Sequence, residues 1–302
     1  MVPQIVLSKN GPSCSRLVHG LWRLDAWDKN VSQIRAMIDF CLEHGITTFD
    51  HADIYGEYTC EPLFGAALAV AAIDRSCIQI VTKCGIKLVS KNRPSHRIKS
   101  YDTGCSHILA SVDNSLKCLN TEYIDLLLIH RPDPLMDPDE INHAFVTLRD
   151  SGKVRHFGVS NFLPSQFEML ASRLEVPLVT NQIEYSVMQL AAHADGTIDL
   201  CQKLAIRPMA WSPLGGGTLF RQDSGQARVL RETLSGIGRS IGGASVDQVA
   251  LAWILRHPVQ FTVVLGTGNA AHIAKAIGAL DITLSREQWF EIWRASTGRD
   301  VP

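Results

Sequence analysis

Residues 123–129 read Tyr-Ile-Asp-Leu-Leu-Leu-Ile, a nearly unbroken apolar run that ends at His130. Apolar residues at consecutive positions are typical of a strand that is covered on both faces in a parallel sheet. A second run, Ile-Gln-Ile-Val-Thr at 78–82, ends in the same way at Lys83. These two stretches predict a parallel sheet that is packed between helices.

The alternation of short β-branched runs and longer amphipathic stretches extends over the rest of the chain. Apolar residues at helical spacing, such as Ile34, Ile38 and Cys41, predict helices between the strands, and Gly45 follows the first of them as a C-terminal cap. Eight strands alternating with helices predict an α/β fold, a single-domain (β/α)8 TIM barrel over residues 1–302. The predicted strands lie at 17–22, 46–50, 78–82, 124–129, 155–159, 178–181, 206–211 and 261–265.

Two further features accompany this barrel. The residues Lys-Asn-Gly-Pro at 9–12 predict the turn of an N-terminal hairpin ahead of the first barrel strand. Two long connections follow predicted strands, one from Gly85 to Thr103 and one after Trp211 that contains three consecutive glycines. Both leave the C-terminal ends of strands, the face on which such barrels carry their active sites, so we expect both to be functional.

Composition excludes several classes of protein. The net charge is -1 and no long basic run occurs, which gives no support for nucleic-acid binding. No stretch approaches the roughly 20 apolar residues that span a bilayer. The eight cysteines form no Cys-x-x-Cys pair, so we expect no metal site. Because a signal peptide is also lacking, we expect a reducing, cytoplasmic location. The sequence does not set the oligomeric state.

Ionisable residues stand where predicted strands end. Asp50, Lys83 and His130 each follow an apolar run, and Tyr55 lies five residues beyond Asp50. Strand ends on one face of a barrel converge in space, so these four side chains are expected to share one pocket. Alone, each residue has a simpler explanation. Asp50 could cap a helix, Lys83 could be a solvated loop residue, His130 could cap a strand and Tyr55 could belong to a Tyr-Gly turn. Their combination favours a catalytic site.

The chemistry of this set suits carbonyl reduction. Hydride addition builds negative charge on the carbonyl oxygen, which then needs a proton donor. A free tyrosine has a pKa of about 10, and a lysine cation beside it lowers that pKa by favouring the phenolate. Asp50 would hold Lys83 in its charged form, and His130 would orient the carbonyl. We therefore expect the Lys83 charge to lower the pKa of Tyr55.

With these residues in view, the chain resembles the aldo-keto reductase family over nearly its full length. Residues 49–56, Phe-Asp-His-Ala-Asp-Ile-Tyr-Gly, resemble the family motif Asp-Thr-Ala-x-x-Tyr-Gly. The segments 158–162 (Gly-Val-Ser-Asn-Phe), 181–185 (Asn-Gln-Ile-Glu-Tyr) and 210–214 (Ala-Trp-Ser-Pro-Leu) resemble three cofactor-side segments of the family. Lys83 and His130 complete its Asp-Tyr-Lys-His tetrad.

The resemblance implies a role for each matching residue. Tyr55 would be the general acid, Asp50 and Lys83 its tuning pair, and His130 the residue that orients the carbonyl. Trp22 would line the substrate pocket, and the substrate would be a small aldehyde or ketone. The implied cofactor-binding residues are Ser160, Asn161 and Gln182 at the nicotinamide carboxamide, Trp211 stacked on the ring, Ser212 and Leu214 near the pyrophosphate, and Gly266, Thr267, Gly268 and His272 near the adenosine 2′-phosphate. Three of these residues also have simpler explanations, Trp211 as a core aromatic and Ser160 with Asn161 as a helix cap.

The chain departs from the family near its end. Where the family usually carries Arg and then Glu-Asn, this sequence has His272, Lys275 and Ala276. The rigid fork of an arginine is therefore missing, although Thr267 can donate to a phosphate oxygen and Lys275 can supply charge. NADPH is the expected cofactor, with NADH as the alternative.

Two other functions stay open at this point. One is a Schiff-base aldolase that uses Lys83 as its nucleophile. The other is a non-catalytic nicotinamide-binding subunit, because some proteins that resemble this family serve as channel subunits. A Rossmann dehydrogenase is disfavoured, because the glycines at 236 and 238 lack a third partner and follow no predicted strand.

Overall fold

The fold is a closed barrel of parallel strands, as seen in a computed structural model that describes residues 1–70, 73–221 and 224–301. The strands in these ranges are β1 Gln4–Val6, β2 Ser13–Ser15, β3 Leu17–Gly20, β4 Thr48–Asp50, β5 Gln79–Cys84, β6 Ile86–Lys87, β7 Ser100–Tyr101, β8 Ile124–Ile129, β9 Val154–Ser160, β10 Leu178–Glu184, β11 Met209–Trp211 and β12 Thr262–Leu265. Within them, eight strands form the ring β3-β4-β5-β8-β9-β10-β11-β12, which closes where β12 pairs with β3. The predicted (β/α)8 barrel is confirmed.

Helices cover the outside of the barrel. Those in the described ranges are α1 Val31–Glu43, α2 Cys60–Ala69, α3 Cys105–Leu119, α4 Pro138–Asp150, α5 Pro164–Ala171, α6 Ala191–Ala194, α7 Thr197–Lys203, α8 Thr218–Arg221, α9 Gly225–Ser240, α10 Val246–Leu255, α11 Ala270–Gly278 and α12 Arg286–Thr297. In α1, the Asn30 side chain accepts from the backbone N–H of Gln33 at 2.9 Å, and Gly45 follows the helix with φ of 81°. No helix of the described ranges has the length and apolar composition needed to cross a bilayer.

The apolar run at 124–129 is accounted for by this arrangement. Leu126 and Leu128 point into the barrel, whereas Leu127 and Ile129 pack against the surrounding helices, so both faces of β8 are buried. The N-terminal hairpin of β1 and β2, predicted from its turn, packs Leu7 and Cys14 onto the inner cluster. The opposite end of the barrel, at the carboxyl ends of the strands, is left for a cavity.

Both long connections lie at that end. The segment 85–103 contains a small hairpin that the sequence did not reveal, in which Ile86 of β6 pairs with Tyr101 of β7. Two-residue strands are too short to produce a periodic pattern, which is why the sequence predicts only a loop there. After β11, the three glycines Gly215–Gly217 form a tight turn with positive φ angles of 59°, 62° and 91°, which is followed by α8.

Candidate active site

The four predicted catalytic side chains lie together at the carboxyl ends of neighbouring strands. Asp50 ends β4, Lys83 lies near the end of β5, and His130 directly follows β8. Since β4, β5 and β8 are adjacent in the ring, these ends meet on one side of the barrel. Tyr55 lies in the turn after β4 and faces the same point.

The Lys83 ammonium group is the centre of the cluster. Its Nζ lies 2.8 Å from each carboxylate oxygen of Asp50 and 2.7 Å from the backbone carbonyl oxygen of His51. It also donates to the Tyr55 hydroxyl oxygen at 3.0 Å. The side chain of Lys83 is only 1% exposed, so these contacts replace water entirely. Burial alone would lower the pKa of Lys83, but Asp50 and Tyr55 outweigh burial and raise it, so the ammonium stays charged.

The pKa of Tyr55 corrects one expectation. Burial raises this pKa, the charge of Lys83 lowers it and the charge of Asp50 raises it, and the net result is a pKa above the ordinary value of 10.0. The expected lowering by Lys83 is real but smaller than the cost of burying a phenolate. The phenol therefore keeps its proton at neutral pH. Because its oxygen accepts from Lys83, its own O–H is left to donate into the cavity.

His130 supplies a neutral imidazole beside this donor. Burial lowers its pKa well below 6.5, and the positive charges of Lys83, Arg131 and Lys99 lower it further. Its ring centroid lies 5.9 Å from that of Tyr55, with the two rings nearly perpendicular. A neutral imidazole carries one N–H donor, so His130 is suited to hold a carbonyl oxygen near the Tyr55 hydroxyl.

These residues open onto a cavity of about 760 Å³. Tyr55, His130 and Asp50 form part of its wall, and the expected substrate residue Trp22 lines its mouth with 55% of its surface exposed. Of the expected cofactor residues, those on the wall are Ser160, Gln182, Trp211, Ser212, Leu214, Gly266, Thr267 and His272. Lys83 lies behind Tyr55, and Asn161 and Gly268 are not on the wall.

Asn161 instead holds two wall residues in place. Its amide nitrogen donates to the Ser160 hydroxyl at 2.7 Å, and its amide oxygen accepts from the Trp211 indole N–H at 3.0 Å. The backbone of Asn161 has φ of 60° and that of Ser212 has φ of 50°. Left-handed backbone at non-glycine residues is costly and is found preferentially at functional sites.

Gln182 connects this group of polar residues to the catalytic cluster. Its backbone carbonyl accepts from the Ser160 hydroxyl at 2.9 Å, and its side-chain amide donates to Asp50 at 2.7 Å. Asp50 thus accepts from both Lys83 and Gln182. The residues expected at the nicotinamide and those expected to move the proton form one continuous network.

The far end of the cavity is built by the segment that follows β12. The Thr267 hydroxyl lies 3.4 Å from His272 Nδ1, and Lys275 and Ala276 of α11 complete the wall. Gly268 packs on Trp27, because a Cβ at this position would lie 2.5 Å from the indole ring. The lack of a side chain at Gly268 therefore allows the loop to pack closely on Trp27.

Several wall residues were not predicted as site residues. Arg23 directly follows Trp22, Arg131 directly follows His130, and Lys99 lies in the segment 85–103. Only their positions in the sequence could have indicated them, because Arg23 and Arg131 each follow a predicted site residue and Lys99 lies in a long loop at the active face. In the described part of the chain, no group of three or more His, Cys, Asp or Glu side chains is placed to hold a metal ion.

Comparisons with known proteins agree with this geometry. The profile of the aldo/keto reductase family matches residues 16–296. The uncharacterized oxidoreductase YcsN of Bacillus subtilis is 52% identical over 95% of this chain and 96% of its own. A 6-dehydroglucose reductase of Agrobacterium fabrum is 45% identical, again over 95% and 96% of the two chains. A crystal structure of the thermostable aldo-keto reductase Tm1743 with the inhibitor epalrestat is similar at a TM-score of 0.80 and 27% identity, covering 97% of this chain and 99% of that one.

Proposed function

The chain belongs to the aldo/keto reductase family of oxidoreductases, and from that premise we propose that it reduces an aldehyde or ketone to an alcohol with NADPH, with Tyr55 as the proton donor. The observation that carries the proposal is the 3.0 Å hydrogen bond from Lys83 to the Tyr55 oxygen at the wall of the cavity. This contact supports Tyr55 as a protonated phenol from which a carbonyl oxygen in the cavity could receive a proton. The phenolate that remains is stabilised by the lysine cation.

The chain's own residues account for the proton chemistry. His130 donates its N–H to the carbonyl oxygen and holds it within reach of Tyr55. Tyr55 gives its proton to that oxygen as negative charge develops there. Lys83 stabilises the tyrosinate, and Asp50 keeps Lys83 charged and in place. A reduced nicotinamide held beside Ser160, Gln182 and Trp211 would supply the hydride for the carbonyl carbon.

The wall fits such a cofactor along its length. Trp211 offers a flat aromatic surface, and Ser160 and Gln182 offer polar groups next to it. Asn161 supports this end by holding Ser160 and Trp211 rather than by forming the wall. At the opposite end, the wall carries groups suited to phosphates, namely the cations of Arg23 and Lys275, the hydroxyl of Thr267 and the imidazole of His272.

Binding of NADPH is the first test of the proposal. Because Trp211 lines the cavity, NADPH should quench tryptophan fluorescence and raise the melting temperature of the protein. Both effects should survive treatment with EDTA, since the proposal involves no metal. A protein whose fluorescence and melting temperature respond to neither NADPH nor NADH contradicts the cofactor assignment.

The choice between the two cofactors rests on His272. Replacing His272 by arginine supplies the missing fork, so we expect the Kd for NADPH to fall roughly tenfold, as for a hydrogen bond between charged groups. The Kd for NADH, which lacks the 2′-phosphate, should change less than about twofold. The exposed His143 on α4 provides a matched control, His143→Arg, which should change neither constant. Unchanged NADPH affinity in His272→Arg would show that another residue holds the phosphate.

Two observations bear on the substrate and on the alternatives. The relatives named 6-dehydroglucose reductases support a small aldehyde that carries hydroxyl groups. The geometry disfavours an aldolase, because a nucleophilic lysine must lose its proton and Lys83 is charged, buried and fully engaged. The complete set of Asp50, Tyr55, Lys83 and His130 likewise disfavours a purely non-catalytic subunit.

We also place the enzyme in a reducing cytoplasm. All eight cysteines are free thiols. Burial raises the pKa of Cys14, Cys41 and Cys201 to about 12, which makes them unreactive. A thiol-rich chain without disulfides suits that compartment.

A further inference from the structure

The cavity wall carries more positive charge than the proposed chemistry uses. In the described part of the chain, its basic residues are Arg23, Lys99, Arg131 and Lys275, whereas the whole protein has a net charge of -1. The acidic residues on the wall are Asp50, which is neutralised by Lys83, and Asp247, which lies at the start of α10. The excess of positive charge therefore requires an explanation.

The cofactor phosphates account for only one side of the cavity. Arg23 follows β3, and its guanidinium lies next to Gly266 after β12; Lys275 lies on α11 behind the same strand. Asp247 belongs to this side too, because its neighbour Gln248 donates to the Lys275 backbone carbonyl at 3.1 Å. These residues stand where the family resemblance places the phosphates.

Lys99 and Arg131 lie on the other side. Lys99 precedes the hairpin strand β7, and Arg131 follows β8, which stands opposite β12 in the ring of eight strands. Arg131 lies near the ring of Trp211, with its guanidinium carbon 5.5 Å from the ring centroid. This is the end of the cavity expected to hold the nicotinamide, which carries no phosphate. The cofactor therefore gives these two cations no partner.

The two cations also have few partners in the protein. Arg131 donates through one nitrogen, to the His130 carbonyl at 3.1 Å and weakly to the Ser160 hydroxyl at 3.5 Å. Its remaining N–H groups, and the Lys99 ammonium, have no hydrogen-bond acceptor or ion-pair partner among the described residues. Lys87, on the same hairpin as Lys99 but outside the cavity wall, is paired with Asp102 at 3.3 Å. Lys99 is exposed and Arg131 is half-buried, and both line the cavity wall.

We propose that Lys99 and Arg131 bind an anionic oxygen group, a carboxylate or a phosphate, on the carbonyl substrate. The proposal rests on the proposed carbonyl reduction and specifies its substrate class. An arginine fork matches such groups geometrically, and a lysine adds a point charge. Ile54, Ile86 and Tyr101 line the same part of the cavity and would contact the carbon chain between the anion and the carbonyl.

The test compares aldehydes that differ only in charge. Succinic semialdehyde is compared with its methyl ester, and D-glyceraldehyde 3-phosphate with D-glyceraldehyde, each at low ionic strength with NADPH. We expect kcat/KM to favour the anion by about tenfold to a hundredfold in at least one pair, as for hydrogen bonds to charged groups. The preference should shrink as NaCl is added, because salt screens exposed charges.

Variants assign the effect to the two residues. For each pair, the measured quantity is the ratio of kcat/KM for the anionic aldehyde to kcat/KM for its neutral partner. Lys99→Met and Arg131→Met should each reduce this ratio by about tenfold. Lys87→Met removes the same charge from the same hairpin outside the cavity and should leave the ratio unchanged. A preference in only one pair identifies the anion as carboxylate or phosphate.

Two outcomes count against the proposal in different ways. If all four aldehydes are reduced and each pair differs by less than about twofold, the anion site is wrong while carbonyl reduction stands. The anion site is also wrong if Lys87→Met lowers the ratio as much as Lys99→Met does. If NADPH binds but neither these aldehydes nor neutral 6-dehydroglucose is reduced, the proposed function fails and the anion site fails with it.

Discussion

Replacing Tyr55 by phenylalanine is expected to lower kcat by about 10²–10⁴-fold, the range for a positioned general acid. The substitution removes one hydroxyl and leaves the Lys83 contacts with Asp50 and the His51 carbonyl intact. The Kd for NADPH should therefore stay within about twofold of the wild-type value. Steady-state rates with an accepted aldehyde, together with a fluorescence titration of NADPH, measure both effects.

The pH dependence and a control sharpen this test. Because the pKa of Tyr55 is raised above its ordinary value of 10.0, the donor stays protonated across neutral pH. The wild-type reduction rate should be level there and fall only in strongly alkaline solution. Tyr123→Phe is the matched control, because Tyr123 precedes β8 at the other end of the barrel and donates to the Arg75 carbonyl. A Tyr55→Phe enzyme with near wild-type turnover would make His130 the proton donor instead.

Replacing Lys83 by methionine should abolish most of the activity and also destabilise the protein. Without the ammonium, the Tyr55 phenolate loses its stabilising charge, so kcat should fall by a factor similar to that of Tyr55→Phe. The two effects should not add in the double variant, because both act on one proton transfer. Asp50 would be left buried without its cation, which costs about 3–5 kcal/mol of unfolding free energy.

A second substitution separates these two losses. In the Lys83→Met/Asp50→Asn variant the buried charge is gone, so urea unfolding should recover most of the lost free energy while kcat stays low. The amide oxygen of the introduced asparagine can still accept from Gln182, as the Asp50 carboxylate does at 2.7 Å. If Lys83→Met unfolds at the same urea concentration as the wild type, the buried ion pair does not contribute the predicted free energy of unfolding.

The sequence predicted the barrel and the catalytic cluster for the same reason. Strands covered on both faces produce apolar runs, and Asp50, Lys83 and His130 interrupt or follow such runs at the active face. Errors in strand ends have local causes: β11 starts at Met209 rather than 206, and Pro208 just before it has no N–H to donate to a neighbouring strand.

Other properties of the site depend on contacts that no local pattern encodes. The hydrogen bond from Gln182 to Asp50 joins residues 132 positions apart and follows from the closure of the barrel. The pKa of Tyr55 depends on the balance between burial and the Lys83 charge, which requires the depth of the phenol in the structure. Lys99 was only one of several basic residues in a long loop until the cavity showed which of them face inward.

The most direct measurement of the central claim is the fate of deuterium from NADPH in which both hydrogens at C4 of the nicotinamide are replaced by deuterium. The enzyme is incubated with the labelled cofactor and an aldehyde in ordinary water, and the alcohol is examined by NMR. We predict one deuterium on the carbinol carbon for each NADPH oxidised, and a matching loss of alcohol formation in Tyr55→Phe. An alcohol without deuterium, or consumption of the aldehyde with no oxidation of NADPH and an imine on Lys83 trapped by borohydride, would contradict the account.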